Sequence, residues 1–197
     1  MKICYCWVAA AVLLLSACGK QERREAVGMY KVLVEKRAAF AQNNAAEKDF
    51  VSSVRGWCTS ITAKGGGTGA QLEQNASVAQ DLAKSSASIS AVVGQVRQGI
   101  YDQSIQEEFP KGVRSNLIGE LTRRQRFLQE VRSALQDSAT AFEGFRQSRG
   151  YKGDTYPAGI DKLTQILQGY HEPGDSVTEA ISALTTKYNI KDGEVGT

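Results

Sequence analysis

The chain has 197 residues, with 24 Lys and Arg against 21 Asp and Glu, one His and a net charge of +3. That length suits one domain with a real core. So slight an excess of positive charge argues neither for a nucleic acid nor for an acidic substrate.

The first element is an address segment. Met1-Lys2 supplies a short positive start, and Ile3 to Leu15 is a nearly unbroken apolar run of thirteen residues. Ser16 and Ala17 follow, small enough for a peptidase to accept the backbone beside them, and then Cys18. This is the order of a secretory signal. The run falls short of the roughly 20 residues that a membrane-spanning helix needs.

Leu15-Ser16-Ala17-Cys18, in that context, resembles the lipobox of bacterial lipoproteins. The resemblance covers only the first nineteen or so residues. It implies that residues 1–17 are a signal peptide, that the Cys18 thiol receives a diacylglycerol, and that the freed amine can take a third chain. Two acyl chains hold a protein stably where one does not. The expected mature chain is therefore moored to the membrane rather than threaded through it. Gly19, not Asp, follows the cysteine. By the same resemblance this leans toward the outer membrane, facing the periplasm. Losing 17 of 197 residues leaves 180, and of the charged residues only Lys2 goes. Cys4 and Cys6 go as well and Cys18 carries lipid, so Cys58 is alone and no internal disulfide framework is expected. No cofactor beyond the covalent lipid is expected.

Residues 18–25 are expected to be the lipidated N-terminus and a short tether merging into the first helix. Lys20, Arg23 and Arg24 there either touch anionic headgroups or belong to a solvated leader. A helical domain is expected over 26–188. From Ala26 to Lys64, Tyr30, Leu33, Phe40, Val51, Val54, Cys58 and Ile61 recur at helical spacing. Arg37 and Asn44 interrupt the stripe, as register-setting or partly exposed residues or as ligand contacts. Gly65-Gly66-Gly67-Thr68-Gly69 ends the helix in a flexible turn; a phosphate loop would need a Lys after the glycines, and Gln71 stands there. Thr68 with Gln71 has capping-box spacing.

A second helix is predicted over Ala70–Asp102 on Leu72, Ala79, Leu82, Ile89, Val93, Val96 and Ile100. Its small residues Ala76, Ala79, Ala83 and Ser86 would let a neighbour approach closely. Asp102 to Pro110 is predicted as a turn or frayed end, because Phe109 precedes proline. A third helix over Lys111–Ser148 carries Val113, Leu117, Leu121, Leu128, Val131, Leu135, Phe142 and Phe145 on one face. Arg123 and Arg126 point off that face and Arg124 falls on it. No single basic face forms, so nucleic acid is not an expected partner. Arg124 on a core face must find a carboxylate or a carbonyl, or snorkel to water.

Arg149 to Pro157 is predicted as a loop, followed by a short helix on Ile160, Leu163, Leu167 and Tyr170. His171-Glu172-Pro173-Gly174 turns the chain into a last helix on Val177, Ile181, Leu184 and Tyr188, with Ser176 and Glu179 at capping-box spacing. Residues 189–197 are expected to be a disordered tail. The expected fold is all-α: an elongated antiparallel bundle of three long helices plus a short C-terminal helical hairpin.

The chemistry-bearing residues do not cluster. His171 has no second histidine or nearby cysteine for a zinc site, and no Gly-x-Ser-x-Gly elbow occurs. Glu107 and Glu108 are adjacent and diverge. Cys58 lies on the apolar stripe, as a buried inert thiol or a link between chains. No metal and no catalytic residue are expected. The expected function is that of a membrane-anchored cell-envelope lipoprotein, a structural or protein-interaction module whose partner is another envelope protein. Trp57, Tyr151 and Tyr156 are candidate contacts, although Trp57 can equally cap the end of the bundle. The alternative is a carrier or sensor holding a small apolar ligand between helices.

Overall fold

In a computed structural model the chain is all-helical. The structure describes residues 4–148, 151–153 and 155–191, with side chains from residue 19 onward. The five helices are α1 (Cys4–Lys64), α2 (Ala70–Tyr101), α3 (Glu108–Gln147), α4 (Ala158–Gln168) and α5 (Ser176–Tyr188). No strand occurs among the described residues. The signal-peptide residues and the Cys18 side chain lie outside the described side chains, and 192–197 lie outside the described residues altogether.

The helical spacing predicts the buried faces well. Tyr30, Leu33, Phe40, Val51, Val54, Cys58 and Ile61 are all buried on α1. On α2 and α3, Leu82, Val113 and Phe145 are only half-buried, while the rest of the predicted stripes are buried. Small residues complete the α2 face: Ala76, Ala79, Ala83 and Ser86 are buried.

Helix α1 is already helical over residues 18–25, ahead of the expected start at Ala26. Helix ends differ from expectation in three further places, each for a local reason. Helix α3 begins at Glu108, earlier than Lys111, with Pro110 inside its first turn. The first N–H groups of a helix lack intrahelical partners anyway, so proline costs nothing there. Asp175 caps α5, its carboxylate accepting from the Thr178 N–H at 3.2 Å, in place of the expected Ser176–Glu179 box. After α5, Asn189 adopts the left-handed conformation at φ 49° and Ile190 is buried, so packed chain continues past Tyr188. The predicted box at α2 is half formed: the Thr68 N–H donates to Gln71 Oε1 at 3.4 Å.

The glycine run is held, not free. Gly66 N–H donates to Thr155 O at 2.9 Å and Gly67 N–H to Gly153 O at 3.3 Å. Asn75 Nδ2 donates to Gly66 O at 3.0 Å. Gly67 at φ 74° needs the left-handed region that favours glycine. At Gly66 the need is space: an added Cβ would strike the Tyr151 hydroxyl and lie 2.9 Å from Thr155 O.

The residues form two compact units. The first takes the chain through Ala38, then Val96–Glu120, then Asp175 onward. Ala26, Met29, Leu33, Ile100, Leu117 and Leu184 are buried within it. The second takes Ala39–Gln95 and Leu121–Gly174. Its largest fully buried side chains include Phe40, Leu128, Leu135, Phe142, Ile160 and Leu163. In this unit the Ser86 hydroxyl donates to Leu128 O at 2.7 Å, so the small face of α2 does bring α3 close.

Candidate functional site

The second unit holds a buried ion pair. Phe40, Asn43 and Glu47 follow one another on one face of α1, three and four residues apart, and all three are buried. Arg124 of α3 reaches this face. Its Nε donates to Glu47 Oε2 at 3.1 Å and its Nη2 to the same oxygen at 2.6 Å. The two side chains are 8% and 1% exposed. The guanidinium carbon lies 4.8 Å from the Phe40 ring centre. Arg124 was the arginine that sequence placed on the core face, and it found a carboxylate. Glu47 carried no signal of its own beyond filling the gap in the stripe between Phe40 and Val51.

The α4–α5 connection is fastened beside this pair. Tyr170 lies 5.1 Å from Phe127, ring centre to centre, and Arg55 stands 5.6 Å above it. Burial, then the charge of Glu47, push the Tyr170 hydroxyl up to about 12, with Arg124 opposing. Asn44 Nδ2 donates to Gly174 O at 3.3 Å, Arg55 Nη2 donates to Leu167 O at 2.9 Å, and Lys48 pairs with Glu172 at 2.9 Å. Asn44 is thus a fastening for the connection. His171, in the same connection, is exposed.

The candidate contact residues divide. Trp57 is half-buried and meets Phe142 edge-on at 6.1 Å. Phe142 meets Phe145 at 6.5 Å, and Tyr151 stacks on Phe145 at 4.6 Å. Trp57 and Tyr151 are therefore the ends of one aromatic row. Tyr156 stands apart and donates to Asp161 Oδ1 at 3.2 Å. That bond and the charge of Asp161 raise its pKa. Cys58 is a free, buried thiol, pushed up to about 11 by burial. It borders an open groove of about 370 Å³ shared with Arg55, Thr59, Thr62, Asp161 and Thr164. A second open groove, about 490 Å³, runs over Ala83 and Ala87 between Lys84 and Arg132.

The first unit contains a polar clasp that the sequence did not reveal. Tyr188 Oη donates to Glu22 Oε1 at 2.7 Å, and Lys187 Nζ lies 3.6 Å from the same oxygen. Arg23 Nε donates to Tyr188 O at 3.4 Å. Glu25 Oε2 accepts the backbone N–H groups of Gln106 and Glu107, both at 2.8 Å, just ahead of α3. A carboxylate suits that position because the helix start carries partial positive charge. Burial works to raise the Glu25 pKa, but those two N–H groups and Gln21 outweigh it and lower it. Phe109 and Tyr188 meet edge-on at 5.8 Å, with Lys187 Nζ 4.0 Å from the Phe109 ring centre. The available signal was spacing: Glu22, Glu25, Ala26 and Met29 share one helix face, so the two carboxylates point with the core.

Arg37, the other interruption in the stripe, is exposed and donates from Nε to Thr178 Oγ1 at 3.1 Å. Among the described residues no three His, Cys, Asp or Glu gather to hold a metal ion, and no helix is long and apolar enough to cross a membrane. The chain matches no known protein family, no curated protein and no solved structure.

Proposed function

We propose that the chain is a lipid-anchored lipoprotein of the bacterial cell envelope that works by contact rather than catalysis. The observation that carries this is Leu15-Ser16-Ala17-Cys18 behind a thirteen-residue apolar run and a basic start. The acyl chains on Cys18 would moor a helical body, three long helices in a bundle with α4 and α5 as a short pair on it. The body would face the periplasm, from the outer membrane, and bind another envelope protein. The helical build supports this reading, because long helices present extended side-chain surfaces to a partner. So does the use of polar groups: Arg124, Glu47, Glu22 and Glu25 are engaged by the fold itself. Trp57 and Tyr151, half-buried at the ends of one aromatic row, are the proposed contact residues nearest to each other through packing.

The anchor is tested by feeding labelled palmitate to cells expressing the protein. Label should enter the wild-type chain and be lost in Cys18→Ala. Entry that persists in Cys18→Ala, or no entry at all, overturns the anchor. Crosslinking of the acylated form in intact cells then tests the partner, with a captured envelope protein lost on Trp57→Ala as the expected result.

A further inference from the structure

We infer that the clasp of Glu22, Glu25 and Tyr188 mounts the first unit directly on the bilayer, with a basic face turned to anionic headgroups; this rests on the lipid-anchor reading. Helix α1 is continuous through Cys18 and Glu22. Four residues of helix advance about 6 Å. The Tyr188 hydroxyl, at 2.7 Å from Glu22, therefore sits about one helical turn from the acylated residue along the axis. No length of free chain is left to act as a spacer.

The direction of α5 supports the same mount. Thr178, in its first turn, bonds Arg37, and Tyr188, at its end, bonds Glu22 and Arg23. Helix α5 thus runs antiparallel to α1, toward Cys18. Exposed Lys191 follows its end.

Charge sorting within Lys20–Glu25 identifies the surface. Both carboxylates of this stretch are half-buried and turned inward, Glu22 to Tyr188 and Lys187, Glu25 to the backbone ahead of α3. Lys20 and Arg24 are exposed, and so is Arg23, whose Nε is held to Tyr188 O. A stretch of mixed composition so presents mainly cations outward. Basic side chains held within a Debye length, about 8–10 Å, of an anionic leaflet are attracted to it. A flexible leader would leave the same residues free to point anywhere.

The test uses the acylated full-length protein in vesicles of phosphatidylethanolamine and phosphatidylglycerol that carry a nitroxide on a fraction of the headgroups. A fluorophore is placed on Thr186→Cys or on Glu179→Cys; both sites are exposed and lie on α5. The two differ by about 10 Å along the helix. Quenching should be at least about threefold stronger at 186, which lies about 10 Å nearer the acylated end of α1 along the helix axis than 179 does. Glu22→Ala with Tyr188→Phe should abolish the difference while acylation and helix content stay unchanged. Lys20→Ala with Arg24→Ala should reduce quenching at 186 in these vesicles and not in phosphatidylcholine alone. Equal quenching at the two sites of an acylated wild-type protein overturns the direct mount and leaves the anchor standing. A chain without acyl groups on Cys18 overturns both. A gradient that survives the clasp variant, its fold confirmed by circular dichroism, overturns the role of the clasp.

Discussion

Glu47 and Arg124 form the buried ion pair of the second unit. Two opposite charges at 1% and 8% exposure have given up their water, and each depends on the other. Glu47→Leu or Arg124→Met alone leaves an uncompensated buried charge, and each should cost about 3–5 kcal/mol. The double variant should cost much less than the sum, since apolar side chains of similar volume are tolerated where the pair stood. Urea unfolding of the four proteins checks this, and additive losses would refute the coupling. Cys58 makes a second prediction at this scale. With its thiol at about 11, roughly one molecule in a thousand is thiolate at pH 8. Only the thiolate attacks disulfide reagents. The folded protein should therefore react slowly with such a reagent and rapidly once urea exceeds the unfolding midpoint. Equal rates in both states would mean that the thiol is reached without unfolding.

At the scale of elements, the turn at Gly66 and the cap at Asp175 carry separate predictions. Gly66→Ala forces a methyl against the Tyr151 hydroxyl and Thr155 O, and should destabilise by about 1–3 kcal/mol. Asp175→Ala removes the side chain that accepts from the Thr178 N–H and should cost about 1 kcal/mol. Both are read by chemical denaturation. These elements also show what sequence conveys and what it withholds. Apolar spacing located the packed stretches of all five helices, though not the start of α1 ahead of Ala26, because burial of a stripe is local to one helix. It did not convey that the glycine run is bonded to residues 153–155, nor which carboxylate Arg124 meets. Glu47 lies 77 residues from Arg124, and spacing along one helix carries no information about its register against another. Thr68 with Gln71 was legible because that cap is local. The Ser176 cap was misjudged because Asp175, one residue earlier, offers a stronger acceptor to the same turn.

For the molecule as a whole, the question is where its folded body begins. The composition of Lys20–Glu25 fits a solvated leader as well as a headgroup contact, yet Glu22 and Glu25 are tied to α5 and to the chain ahead of α3. Hydrogen bonds to a charged group contribute about 1.5–3 kcal/mol each at best, and partial exposure reduces that. A chain beginning at Ala26 should therefore lose on the order of 2 kcal/mol against one beginning at Gly19, a fall of about 5 °C in Tm for a chain of this size. The loss should depend on pH in a definite sense. The Glu25 pKa is lowered in the folded state, so its contribution is complete above the unfolded carboxylate range. It fades as pH falls through the folded value. The two chains should thus differ most at neutral pH and converge in acid, and Glu25→Gln in the longer chain should reproduce most of the pH-dependent part. Two melting curves that coincide at pH 7 would show that residues 19–25 lie outside the folded body after all. The direct mount on the membrane could not then stand, because it needs those residues to be both the end of the anchor and the first turn of the domain.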